Sequence, residues 1–268
     1  MSVNGLDGKW ALILGASSGF GAATAQKLAR AGMNIFGVHL DTKQTLPRVQ
    51  AVIDNIEALG RRAVFFNTNA ADAGKRAVVL DQVREILADD PAGSIHLMLH
   101  SLAFGTLLPF IADDPKGAIG EAQMDMTLRV MAHSLVYWVQ DLVRRELLTR
   151  GSRVFSMTSG GSQRVLKHYG AVSAAKAALE SHTRQLALEL APQGILVNAI
   201  MGGLTDTPAL RAIPGHERMR EEARSRNPGG RLTTPQDIAA ALVTLANPEL
   251  TWITGTVIPV DGGEIIAS

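Results

Sequence analysis

Tyr169 and Lys176 stand seven residues apart in the run His168-Tyr169-Gly170-Ala171-Val172-Ser173-Ala174-Ala175-Lys176. A phenol can donate a proton to a developing oxyanion, and an ammonium can hold hydroxyl groups and supply positive potential beside it. At positions i and i+7 of a helix the two groups share one face two turns apart, within reach of a single pocket. No shorter pairing exists: Val172, four residues before Lys176, has no hydroxyl, and Tyr137, the only other tyrosine, has no lysine four or seven residues downstream. A tyrosine and a lysine at helical spacing also arise by chance. The pair therefore gains meaning only from the elements that position it.

Short runs rich in Val, Ile, Leu and Phe alternate with longer segments of helical period, the pattern of repeated βαβ units. Strands are expected at Trp10 to Leu14, Ile35 to Leu40, Ala63 to Asn67, His96 to Leu99, Arg153 to Met157, Leu196 to Ile200 and Thr256 to Val260. Helices are expected near Ala22 to Ala31, Val49 to Leu59, Ala77 to Leu87, Ala122 to Leu148, Ala174 to Leu190 and Ile238 to Ala246. Seven parallel strands joined by right-handed crossovers make an α/β, doubly wound Rossmann sheet with helices on both faces, whose ligands bind beyond the carboxyl ends of the strands. The 268 residues suit one such domain, spanning 1–268.

Bulk composition narrows the classes. With 46% apolar residues and a formal charge of +1, the chain reads as a globular protein with an ample core, and neither nucleic acid nor another polyanion is an expected partner. There is no cysteine, which excludes disulfides, thiolate metal sites and cysteine nucleophiles; no metal is expected. The beginning of the sequence lacks the basic start and apolar run of a signal peptide, and no apolar stretch is long enough to span a bilayer. A cytoplasmic location without membrane contact is the expectation.

One segment breaks the rhythm. Residues 202–230 mix Arg211, Arg218, Arg220, Arg224 and Arg226 with Ile213, Pro214, Met219 and Pro228. So long an excursion between strands reads either as a substrate-binding lid or as a solvated arginine-rich helix.

The first βα unit carries Gly15-Ala16-Ser17-Ser18-Gly19-Phe20-Gly21, directly after the apolar run Ala11-Leu12-Ile13-Leu14. Glycines at such a turn let the backbone approach a pyrophosphate, whose charge then meets the positive end of the following helix. A plain strand-to-helix turn uses glycines too, but the flanks favour dinucleotide binding.

The three residues between Gly15 and Gly19 differ from the common dinucleotide fingerprint, and the turn resembles that of the short-chain dehydrogenase/reductase family. The likeness runs nearly the whole chain: Asn69 follows the third strand where that family contacts adenine, Val197-Asn198-Ala199-Ile200 ends the sixth strand, and Gly255-Thr256-Val257-Ile258-Pro259-Val260-Asp261-Gly262-Gly263 matches the last strand and turn. Most members carry an Asn-Asn-Ala-Gly turn after the fourth strand, a catalytic Asn in the next long helix, a Ser, and a Tyr four residues before Lys. Those places hold His100-Ser101-Leu102-Ala103, Met131, Ser159 and Val172, so only Ser159 and Lys176 match.

A divergent branch, the enoyl-acyl-carrier-protein reductases, departs in the same way and places six residues between Tyr and Lys. The run His100-Ser101-Leu102-Ala103-Phe104 looks like that branch, and Gly202-Gly203-Leu204-Thr205-Asp206-Thr207 is similar to one bacterial subgroup. That subgroup has Ser, here Ser159, where other enoyl reductases place a second active-site tyrosine. The resemblance implies reduction of a trans-2-enoyl thioester, with acyl carrier protein or coenzyme A as the carrier, in fatty acid synthesis, with Tyr169 as oxyanion donor, Lys176 on the nicotinamide ribose and Ser159 assisting. It implies a nucleotide held by Gly15, Ser17, Ser18, Gly19, Phe20, Gly21, Asn69, Ala70, Ser101, Gly203, Thr205 and Thr207. Phe104, Leu107, Leu108, Phe110 and Leu210 are candidates for an acyl channel, the loop members among them being equally readable as residues folded onto the core.

Asp41 lies about twenty residues beyond the glycine turn, where an acid binds the adenosine ribose hydroxyls and repels a 2′-phosphate. Ser18 stands where NADP users often place an arginine, so NADH is favoured over NADPH, with His39, Lys43 and Arg48 as the opposing features. Two other readings stay open: an alcohol dehydrogenase or ketoreductase with a displaced tyrosine, and a nucleotide-binding regulator without turnover. The helices around Ala122 to Leu148 and Ala174 to Leu190 carry apolar and small residues on more than one face. The family resemblance implies that they pair between subunits of a homotetramer.

Overall fold

The computed structural model describes residues 5–267 except 212 and 214, so Pro214 of the 202–230 segment lies outside the described residues. Seven strands form one parallel sheet: β1 (Trp10–Leu14), β2 (Asn34–His39), β3 (Ala63–Asn67), β4 (Ile95–His100), β5 (Arg153–Ser159), β6 (Leu196–Gly202) and β7 (Val257–Val260). Their order is β3-β2-β1-β4-β5-β6-β7, reversing direction beside β1 as a doubly wound sheet must.

The central strands are apolar at nearly every position because helices cover both faces. Alternation along β1 divides the core in two. Trp10, Leu12 and Leu14 point to a layer built from α3 (Ala73–Ala88), α5 (Ser134–Arg144) and α6 (Gly170–Leu190). Ala11 and Ile13 point to the opposite layer, formed by α1 (Gly19–Arg30), α2 (Leu46–Glu57) and α9 (Pro235–Leu245).

The expected helix from Ala122 to Leu148 is interrupted and shorter. It runs as α4 (Glu121–Leu128), a π-helical turn over Arg129–His133, and α5. Its end is a Schellman-type stop: Leu147 N donates to Leu142 O at 2.9 Å and Glu146 N to Val143 O at 3.0 Å, with Glu146 in the left-handed region at φ 57°. Leu147 and Leu148 then turn back into the core. The 202–230 segment contains two helices, α7 (Pro208–Arg211) and α8 (His216–Arg226). Among the described residues no helix is long and apolar enough to cross a membrane.

Trp138 links the core to the strand ends. It is fully buried on α5, and its indole N–H donates to the Ala70 carbonyl, after β3, at 2.8 Å. Trp138→Phe leaves that carbonyl without its donor, and the expected loss of about 1–3 kcal/mol is read as a lower midpoint in urea unfolding.

Candidate active site

The carboxyl ends of β1, β4, β5 and β6 meet on one side of the sheet. The glycine turn leaves β1 there. Gly15 has φ 87°, and a Cβ on it would collide with the Ser101 carbonyl, while a Cβ on Gly21 would collide with the Gly15 carbonyl. Gly19 opens α1 at φ 52°, and Ser18 precedes it as N-cap without a side-chain capping bond. The first N–H groups of α1 are thus left to an outside acceptor, as a phosphate-binding turn requires. The close backbone approach and the uncapped helix fit the pyrophosphate of a dinucleotide.

Ser17 and Asp41 sit together beside this turn. Burial pushes the Asp41 carboxyl upward, but hydrogen bonds from Ser17, Thr45 and His39 outweigh it and hold the group below the usual range. Its Oδ2 is 3.0 Å from His39 Nδ1, its Oδ1 is 3.5 Å from Arg48 Nη2, and its side chain is only 5% exposed. At the end of β3, Asn69 Oδ1 accepts from Ala71 N at 2.9 Å, which shapes the loop carrying Ala70.

A cavity of about 500 Å³ lies farther along, at the ends of β4, β5 and β6. It gathers Phe20, Ser101, Gly203, Thr205 and Thr207 from the expected nucleotide residues, together with Ser159, Tyr169 and Lys176. Gly15, Ser17, Ser18, Gly19, Gly21, Asp41, Asn69 and Ala70 lie outside it, along the neighbouring strand ends. Phe104, Leu107 and Leu210 line it, whereas Leu108 and Phe110 do not; the Phe110 ring packs over Gly170.

The two-turn helical pairing of Tyr169 and Lys176 needs correction. Tyr169 is the N-cap of α6, with φ −101° and ψ 3°, and the helix begins at Gly170. His168 before it adopts φ 62°, a left-handed conformation uncommon outside glycine, which turns the chain into the helix. The phenol therefore enters from a loop–helix junction, and the cavity still receives both groups. Burial raises the Tyr169 pKa, and a hydrogen bond with the Ser159 side chain opposes the rise.

Lys176 is buried, and its Nζ donates to the Met157 carbonyl of β5 at 2.7 Å. Burial lowers its pKa to about 8, against the opposing pull of Glu180. Two neighbouring contacts continue the seam between β5 and α6: Thr158 Oγ1 donates to Glu180 Oε1 at 2.6 Å, and Ser156 Oγ lies 3.0 Å from Thr183 Oγ1. His100, at the end of β4, is fully buried, with Nε2 2.8 Å from Ser134 Oγ, which donates to Val130 O at 2.7 Å. Burial and the Lys176 charge push the His100 pKa down to about 3, so it is neutral.

Several lining residues escaped the sequence reading. Met131 and Val172, which hold the places of the family's usual Asn and Tyr, form apolar wall. Met219, Glu222, Ala223 and Arg226 line the cavity from one face of α8, at helical spacing that was legible once the segment was taken as a helix. Glu264 reaches in from beyond β7: its Oε2 accepts from Leu204 N at 2.8 Å, and burial raises its pKa.

A glycine-rich turn at a helix start, a doubly wound parallel sheet and a Ser/Tyr/Lys group at its carboxyl edge define an NAD(P)-dependent oxidoreductase. Residues 15–264 match the family model described as enoyl-(acyl carrier protein) reductase, and the chain belongs to this family of short-chain dehydrogenases/reductases. The 3-oxoacyl-[acyl-carrier-protein] reductase FabG of Escherichia coli is 29% identical over 96% of this chain and 97% of its own. The structure of the enoyl-[acyl-carrier-protein] reductase (NADH) from Aquifex aeolicus superposes with a TM-score of 0.82 at 26% identity, covering 97% of this chain and 98% of that one. A short-chain dehydrogenase from Burkholderia cenocepacia, in complex with NADP, gives 0.81 at 31% identity, covering 97% and 99%.

A role for Lys176 in holding nucleotide would make affinity depend on pH. Because burial lowers the Lys176 pKa to about 8, the ammonium is present below that pH and lost above it. Titration of the protein with reduced nicotinamide nucleotide, followed by fluorescence, should give a dissociation constant that rises as pH passes about 8.

Proposed function

We propose that the protein reduces the carbon–carbon double bond of trans-2-enoyl thioesters. The observation that carries this reading is the position of Tyr169: it lines a largely apolar cavity, hydrogen-bonded to Ser159, and Lys176 lines the same cavity. A reduced nicotinamide held between the glycine turn and Lys176 would supply hydride to the β-carbon, and a proton taken up at the α-carbon from solvent would complete the reduction. The residues of this chain then manage the charge that develops on the thioester oxygen.

Tyr169 donates a hydrogen bond to that oxygen, an interaction that strengthens as the enolate forms and so lowers the barrier. Its raised pKa keeps the phenol protonated, and therefore a donor, at neutral pH. Lys176 retains hydrogens beyond the one given to Met157 and holds the nicotinamide ribose hydroxyls while placing positive charge near the phenol. Ser159 orients Tyr169. Phe104, Leu107, Met131, Leu166, Val172 and Leu210 exclude water and accept the acyl chain. The acyl group arrives as a thioester, with acyl carrier protein as the proposed carrier, and the assembly is a homotetramer.

Ketone reduction is the second reading, supported by the 29% identity to the Escherichia coli 3-oxoacyl reductase. Loss of reduced-nicotinamide absorbance with crotonyl and longer enoyl thioesters, beside acetoacetyl thioester, separates the two. Enoyl turnover without ketone turnover is expected, and ketone turnover alone would overturn the proposal. Tyr169→Phe should lower enoyl kcat by about 10²–10³, the scale of losing one oxyanion donor, while nucleotide affinity stays unchanged.

NADH is the proposed nucleotide. Asp41 is held anionic at the end of the β2 crossover, where it repels a 2′-phosphate. Asp41→Asn should improve saturation by NADPH relative to NADH. A wild-type protein that saturates better with NADPH would instead assign control to Arg48, whose guanidinium already occupies part of the Asp41 carboxylate.

A further inference from the structure

We infer that Glu180, buried four residues beyond Lys176 on α6, is the counter-charge that keeps Lys176 protonated in its buried site and so sets the alkaline limit of nucleotide binding and turnover. Glu180 is thus a positioning residue, acting through the lysine. The inference rests on the proposed role of Lys176 in holding nucleotide and does not depend on which substrate is reduced.

The geometry begins with two charges that should not both be buried singly. Lys176 is 6% exposed and Glu180 is 8% exposed. A lone buried ammonium sheds its proton and a lone buried carboxyl takes one up, because low-dielectric surroundings disfavour each charged form. On one helix, residues i and i+4 are neighbours, so each charge offsets the cost of the other. Both also face β5: Lys176 Nζ donates to Met157 O at 2.7 Å, and Thr158 Oγ1 donates to Glu180 Oε1 at 2.6 Å. Thr158 therefore fixes one carboxylate oxygen in the same seam that holds the lysine.

Other carboxyls lie around the site: Glu222 and Glu264 line the same cavity, Glu264 accepting from Leu204 N, while Glu121 and Asp125 lie on α4 and Asp141, paired with Arg76, on α5. His100 faces Lys176 from β4 and is neutral, bonded through Nε2 to Ser134. Tyr169, at the head of α6, has its pKa raised by burial and stays neutral. The β5 segment 154–159 and the β6 strand Leu196–Gly202 carry no ionisable side chain. From the π turn packed against α6 come Arg129 and His133, and His133 pairs with His182, Nδ1 to Nε2, at 3.0 Å. Glu180, four residues along the same helix face and as buried as the lysine, is the carboxyl that opposes the effect of burial on Lys176.

A purely structural Glu180, tying α6 to β5 through Thr158, would look similar in a stability measurement. The pH profile separates the roles. In Glu180→Gln the Thr158 hydroxyl keeps an acceptor while the charge disappears. Fluorescence titration with reduced nicotinamide nucleotide, from about pH 6 to about pH 9.5, should show the alkaline loss of affinity moved acidward by about one to two units. Affinity near pH 6 should approach that of the wild type, and Glu180→Asp should restore much of the original limit. A profile that coincides with the wild type, or an affinity lowered by one factor at every pH, would overturn the inference.

If the glutamine variant does not fold, Thr158→Val carries the test, since it removes the hydrogen bond and leaves the charge. It should keep the wild-type pH limit, and a uniform loss of affinity would assign Glu180 to structure alone. A shifted binding limit in a protein without enoyl turnover would leave the inference standing and remove the proposed substrate.

Discussion

Lys176 occupies a position where an ammonium group is costly, and much of the site follows from how that cost is met. A buried cation needs hydrogen-bond acceptors and nearby negative charge. The Met157 carbonyl and Glu180 provide them, one from β5 and one from α6. The acceptor from β5 is a backbone atom, so the lysine fixes the register of helix against strand as well as its own place. Ser159 ends that strand and Tyr169 begins that helix, and the distance between them is therefore governed by the seam that runs through Ser156, Met157 and Thr158.

The same economy of space governs the nucleotide cleft. Parallel strands end together, which brings the backbone after β1 against the backbone after β4. Gly15 and Ser101 meet so closely that a Cβ has no room between them. Gly203, after β6, is packed between Thr233, Glu264 and Asp261. Glycine serves here because main chain must lie against main chain while φ at Gly15 reaches 87°. Ser101, Gly203 and Thr205 then reach one cavity wall without any long loop to carry them.

The strands were readable because burial on both faces makes each a nearly continuous apolar run, and the glycine turn because its flanks fix its context. Trp10–Leu14 and Ala63–Asn67 coincide with the sequence reading; β4, β5 and β6 extend one or two residues farther toward the site, as with Ser159, whereas β2 lies one residue earlier than expected and β7 begins one residue later. The π turn at Arg129–His133 was hidden: no proline or glycine marks it, and it packs against α6, a tertiary contact that the local sequence does not announce. Glu180 was hidden for a related reason. A glutamate on a long helix normally faces water, and only the tertiary contact with Thr158 places this one inside. Asp41 was legible as an acid at the right spacing, but its bonds to His39 and Arg48 depend on side chains meeting across a turn.

The displaced tyrosine bears on which bond is reduced. Ordinary family members would place the phenol at Val172; here Tyr169 precedes that position by three residues, at the N-cap of α6. In a ketone, the oxygen that gains charge is attached to the carbon that receives hydride. In an enoyl thioester, the charge appears on an oxygen three bonds from the hydride-accepting carbon, with two carbons between them. With hydride delivered from one fixed place, a donor for the second reaction must stand farther off than a donor for the first. Val172 and Met131 supply no alternative donor at the nearer place, since both are apolar wall of the same cavity. Under the proposed function, a ketone seated for hydride transfer would find Ser159 as the hydroxyl beside these apolar side chains. An enoyl thioester seated in the same way would extend its carbonyl toward Tyr169.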